Sequence, residues 1–143
     1  MKSHRLLLAL GLAVLTSLAQ AAAPAGFKAI FNGKDLSGWD GRQSVWSVRD
    51  GAIVGQTTDE QALASGNTFL VYTAGQPANF ELRLTFRLTG QNPDNRANSG
   101  VQYRSKVLDA AAFVVGGYQA DIDSPFKYTG MLYEEKGRGI LMA

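Results

Sequence analysis

The chain has 143 residues, 14 of them Lys or Arg and 12 Asp or Glu, with one histidine and no cysteine. The lack of cysteine excludes disulfides and thiolate nucleophiles, and because the histidine is His4, in a leader-like stretch, the remainder of the chain has no Ser/His/Asp triad and no ordinary zinc site. The formal net charge of +2 is accounted for by Lys2 and Arg5, so the balance beyond them is zero and a basic nucleic-acid surface is not indicated.

The leader reads as an export signal over residues 1–21. Lys2 and Arg5 form a positive region, Leu6 to Leu18 an apolar core, and Ala19-Gln20-Ala21 a small-residue cleavage site, with Ala21-Ala22-Ala23 allowing cleavage as late as 23. Thirteen residues are too few to cross roughly 30 Å of hydrocarbon. The expectation is an exported protein, periplasmic or secreted, with no membrane contact after cleavage. Residues 24–143 suffice for one domain with one core.

Along that domain, Phe27 to Trp39 is expected to pack the start of the domain onto a sheet through Phe27, Ile30, Phe31 and Leu36. Val45 to Gln56 holds Asp50-Gly51 between two apolar runs, which predicts a type I′ hairpin pairing Val48 with Ile53. Short helices are expected at most over Asp59 to Ser65 and Asp109 to Val115. In Asn79 to Leu88, Phe80, Leu82, Leu84, Phe86 and Leu88 alternate with Glu81, Arg83, Thr85 and Arg87, which predicts a half-buried antiparallel strand. Further strands are predicted over 68–72, 99–105, 118–123 and 129–133, with Gln91 to Asn98 as a mobile polar loop. The apolar end, Ile140 to Ala143, reads as an interrupted strand. The sum is an all-β domain at sandwich spacing.

Polar faces recur on three of these strands. Asn98, Gly100, Gln102 and Arg104 alternate with Val101 and Tyr103, and Gly100 leaves a gap suited to a sugar ring. Gln119, Asp121 and Asp123 alternate with Tyr118, Ala120 and Ile122, and the next strand delivers Tyr133, Glu134, Glu135, Lys136 and Arg138. Each face taken alone also fits a solvated outer sheet surface, with Arg104 in a salt bridge.

The segments FNGKDLSGW, W-x-V-x-DG-x-I-V-G, NFELRLTFRL, NSGVQYRS, GYQADID and TGMLYEEKGRG run in this order from Phe27 to the end of the chain. Together they resemble the 3-keto-disaccharide hydrolase family, also described as 3-keto-glucoside 1,2-lyase and 3-keto-2-hydroxy-glucal hydratase domains. The resemblance implies an antiparallel concanavalin A-like jelly-roll sandwich with a concave polar sheet. Its domains run longer, so residues 24–143 are expected to be incomplete at the C-terminal side. In the commoner form of the GYQAD strand a Glu precedes an amide, whereas here Gln119 precedes Asp121.

The activity implied is cleavage of a glycoside already oxidised to a ketone at C3. The ketone acidifies the C2 hydrogen, a carboxylate removes it, donors hold the enolate, and the C1 substituent leaves; water adding to the glucal completes a net hydrolysis. The base candidates are Asp121 and Glu134, with burial expected to raise the carboxyl's affinity for protons. Asn98, Gln102, Arg104, Gln119, Tyr133 and Arg138 are the candidate substrate-binding residues; Tyr133 is also a candidate to protonate the leaving oxygen, against the commoner role of a packing aromatic in the core or at the rim. No cofactor is required; Asp121 and Asp123 are weak candidate ligands for calcium or magnesium. A conventional glycosidase needs two carboxyl groups about 5 to 5.5 Å apart in a motif this chain lacks. The remaining alternative is a non-catalytic carbohydrate-binding domain with Trp39 or Tyr133 at its rim.

Overall fold

The structure is a computed structural model that describes residues 23–58, 66–125 and 127–143. The expected export signal and the expected helix at 59–65 lie outside the described residues. Among those residues there is no helix, and every strand pairing is antiparallel. This is the all-β antiparallel class expected of a β-sandwich.

The first strands are short. β1 (Trp39–Asp40) pairs with β4 (Val71–Tyr72), bringing the Trp39 and Tyr72 rings to 5.1 Å between centroids. Trp39 also donates its indole N–H to the Ile30 carbonyl at 2.9 Å, which ties the preceding segment to this pair. Phe27, Ile30, Phe31 and Leu36 are all half-buried there, as expected. β2 (Trp46–Arg49) and β3 (Ala52–Gly55) form the hairpin, with Val48 opposite Ile53. Asp50 and Gly51 take φ of 50° and 74°, the two left-handed conformations that a type I′ turn demands.

The largest unit is a four-stranded sheet in the order β5 (Ala97–Asp109), β6 (Val114–Ser124), β7 (Leu132–Glu135), β8 (Gly139–Met142). β5 and β6 overrun their expected bounds because Asp109 to Val115 is no helix, and the strand expected over 129–133 lies at 132–135. The segment is the tight end of the β5–β6 hairpin: Asp109 Oδ1 accepts the Ala112 N–H at 3.0 Å, and Phe113 at φ 53° turns the chain into β6. A side-chain cap on a four-residue connection favours a turn over a helix too short to propagate. The polar loop before β5 is cross-braced. Asn92 accepts from the Arg96 N–H at 2.8 Å and donates to the Arg96 carbonyl at 2.7 Å, while Ser124 Oγ donates to the Asn95 carbonyl at 3.0 Å.

Asn79 to Leu88 departs from its expectation. It runs without turn or bend over 81–88 but joins no ladder among the described residues, and Phe80, Leu82, Leu84 and Phe86 are 40–49% exposed. Alternation fixes which side chains share a face, but burial requires a second surface, and none of the described strands supplies one.

Candidate functional site

Directly opposed residues of an antiparallel pair share a face. In β5–β6, Asn98 opposes Asp123, Gly100 opposes Asp121 and Gln102 opposes Gln119; in β6–β7, Gln119 opposes Tyr133 and Gly117 opposes Glu135. One face of the sheet therefore carries Asn98, Gln102, Gln119, Asp121, Asp123, Tyr133 and Glu135. Of these, Gln119, Asp121 and Glu135 are buried, at 4–7% exposure.

Burial of so much polarity is tolerable only where hydrogen bonds replace water. Here they form a line with a single direction. Ser105 Oγ donates to Gln102 Oε1 at 3.0 Å, Gln102 Nε2 to Gln119 Oε1 at 3.0 Å, and Gln119 Nε2 to Asp121 Oδ1 at 2.6 Å. From the other side Asn98 Nδ2 donates to Asp121 Oδ2 at 2.9 Å. Asp121 thus receives one amide on each oxygen, and among the described residues no cation lies within ion-pair distance of it. The two amides fix the plane of the carboxyl group and leave further lone pairs on it available.

The notch expected at Gly100 is occupied. The Gln119 side chain lies over this glycine so closely that a Cβ there would stand 2.5 Å from Gln119 Cγ and Cδ. The missing side chain at position 100 makes room for the relay amide rather than for a sugar ring.

Arg104 does not extend the row of Asn98 and Gln102. After Tyr103 pairs with Tyr118, the next pair is Lys106 with Gly116, so Arg104 and Ser105 together face the single residue Gly117. This bulge holds Arg104 in a left-handed conformation, φ 50°, and exposed, while Ser105 takes the next hydrogen-bonding place in line. Among the described residues the Arg104 side chain makes no salt bridge either.

Glu134 and Arg138 are on the other face. Glu134 opposes Tyr118, and its carboxylate receives Arg138 Nε at 2.5 Å and the Arg138 backbone N–H at 3.2 Å; Arg138 also reaches the Tyr118 hydroxyl at 3.4 Å. These bonds hold the Glu134 carboxyl below the usual glutamate range and raise the Arg138 guanidinium further. The two expected base candidates, Asp121 and Glu134, are therefore not brought together.

Glu135 is the acidic residue that sequence reasoning missed on the polar face. It is buried, accepts from Asn67 Nδ2 at 3.1 Å and lies 3.8 Å from Lys136 Nζ. Alternation puts Glu135 on the side of Met131 and Tyr133, but which face that is follows only from the pairing of Tyr133 with Gln119. Along β6 Glu135 stands four residues from Asp121, about 14 Å at strand rise. Tyr133 is nearer, two residues along and one strand over.

Asp121 and Asp123, the weak candidate ligands, stand on the same face. The Asp121 oxygens face amide N–H donors, and no group of three or more metal-ligating His, Cys, Asp or Glu occurs among the described residues. A shallow cavity of about 180 Å³ lies by β2 and β3, lined by Gln43, Val45, Arg49 and Gln56, and includes none of the polar-face residues.

No curated protein and no solved structure matches the chain. Residues 26–141 match the family described as the 3-keto-alpha-glucoside-1,2-lyase-like domain. A match over that span, across the β5–β8 sheet and both small sheets, means that the chain belongs to the 3-keto-alpha-glucoside-1,2-lyase-like domain family.

Proposed function

We propose that this protein is an exported carbohydrate-active enzyme that cleaves 3-keto-glycosides by removing the C2 proton and expelling the C1 substituent. The observation that carries this reading is Asp121, a buried carboxyl group on a polar face, oriented by two side-chain amides with no cation beside it among the described residues. A base shielded from water and held in one plane is what abstraction next to a carbonyl requires. The family assignment supplies the substrate class.

In the proposed reaction Asp121 takes the C2 proton, and the electron pair of that C–H bond moves into the enolate of the C3 ketone. Collapse of the enolate forms the C1–C2 double bond and breaks the C1–O bond. The departing oxygen needs a proton, and the donor in this proposal is Tyr133, which supports the role by sharing the face of Gln119 across the β6–β7 pair. The amides of Asn98 and Gln102 are the donors available to the sugar at the β5 edge. Export rests on the Lys2/Arg5 region and the Leu6 to Leu18 core.

The test is proton NMR in D₂O with a 3-keto-glucoside beside the unoxidised glucoside. Loss of the C2 proton signal and release of the C1 substituent from the ketone alone is the expected result. Silence with both sugars from folded protein overturns the proposal. Binding without cleavage is the alternative that the same experiment separates. It predicts chemical-shift changes on the polar face with either sugar and no exchange.

A further inference from the structure

The segment Phe80 to Leu88 has the composition of a strand but no strand beside it among the described residues; its contact with the start of the domain is Arg83 over the Phe27 ring, 4.3 Å from the centroid. Its apolar side chains alternate with Glu81, Arg83, Thr85 and Arg87, every residue from Phe80 to Arg87 is exposed, and no backbone hydrogen bond joins the run to another strand among the described residues. A row of unpaired N–H and C=O groups flanked by apolar side chains is a template for strand addition.

The sequence of this run also says which strand fits. Laid antiparallel to itself about Leu84, it sets Phe80 against Leu88, Leu82 against Phe86 and Leu84 against Leu84, all on one face. On the other face Glu81 meets Arg87 and Arg83 meets Thr85, so opposite charges pair and no like charges are opposed. Shifting the centre to Arg83 would set Arg83 against Arg83. Centring on Leu82 keeps a Glu81 to Arg83 match but leaves Arg87 opposite Pro77. The register about Leu84 thus keeps the charge match and uses the whole strand.

We infer that residues 80–88 form a self-complementary docking strand through which a second copy of this chain adds antiparallel about Leu84. A two-fold pairing of this kind is isologous, each copy contributing the same edge. Glu81 is free to take part: its ion pair with Arg83, 2.7 Å, is between side chains about 60% exposed. None of these residues belongs to the hydrogen-bond line that ends at Asp121.

Sedimentation of the full chain over a concentration series, with hydrogen exchange read at the amides of 81–87, tests the pairing. A monomer–dimer equilibrium in which those amides gain protection as the dimer fills is expected. Glu81→Arg, an exposed change, should weaken the dimer about tenfold, since like charges then oppose at both symmetric positions. Glu81→Arg with Arg87→Glu should restore it. A monomer at every concentration, including one whose 81–87 amides are protected by another part of its own chain, overturns the inference. So does open-ended assembly, a dimer indifferent to Glu81→Arg, or a double variant that fails to restore it.

Discussion

Asp121 and Glu134 are both carboxylates near the centre of one sheet, and they differ in what their hydrogen bonds do. Asp121 is held by neutral amides inside a polar face, whereas Glu134 is neutralised by Arg138 on the opposite face. Asp121→Asn should cut turnover of a 3-keto-glycoside about 10²- to 10⁴-fold, the usual worth of a positioned base, while Glu134→Gln leaves it within a few-fold. Steady-state rates of the two variants separate the roles. Asp35 carries a different residue-scale expectation. Its carboxylate accepts from the Ser37 backbone N–H at 2.9 Å and from Asn32 Nδ2 at 2.7 Å, which lowers its pKa from 3.8 to about 2. The Ser37 hydroxyl is the largest cause, ahead of Asn32 and the Ser37 backbone N–H. Because the folded value is depressed, the stabilisation is complete above about pH 4 and is lost as pH falls towards 2. Ser37→Ala should move the Asp35 midpoint upward in a carboxyl-detected NMR titration; an unmoved midpoint would contradict this origin.

At the scale of the element, the β2–β3 hairpin shows how turn chemistry becomes register. Gly51 at φ 74° closes the turn that sets Val48 against Ile53. Gly51→Ala should cost about 1 kcal/mol in urea denaturation, because a Cβ is disfavoured in the left-handed region. This hairpin was legible in the sequence because its cause is local, two adjacent turn residues between apolar runs. The Gln119/Asp121 alternation was legible for the same reason. The bulge at Arg104 was not, since it depends on the β6 backbone at Gly116 and Gly117, far along the chain. Nor was the facing of Glu134 and Glu135. Between two adjacent glutamates, the pairing of Tyr133 with Gln119 decides which one turns to the polar face, and that pairing is tertiary. Residues 79–88 carry the clearest period-two pattern in the chain, yet a pattern names a face and not the partner that covers it.

The whole molecule buries few apolar side chains. Val45, Val115 and Met131 are the buried hydrophobic residues among those described, against four buried polar or charged ones: Gln119, Asp121, Ser124 and Glu135. Val107, Leu108, Ile140 and Met142 are 49–69% exposed on the four-stranded sheet, apart from the docking strand. Strand contacts run within each sheet, so the sheets are joined by connecting segments and by bonds such as that of Asn67 with Glu135. Exposed apolar surface on this scale should bind a hydrophobic dye such as anilinonaphthalene sulfonate at neutral pH without denaturant. Fluorescence no higher than that of a well-packed control would show these side chains to be covered in solution.

The short bond between Gln119 and Asp121 has a further consequence. An amide and an acid two residues apart on one strand can exchange identities, Glu at 119 and an amide at 121, and keep a donor facing an acceptor. What the exchange would not keep is the address of the negative charge, which would move about 7 Å along β6, level with Tyr133. Two proteins differing only in the order of this pair would thus hold the same sheet and present their charge two residues apart along it.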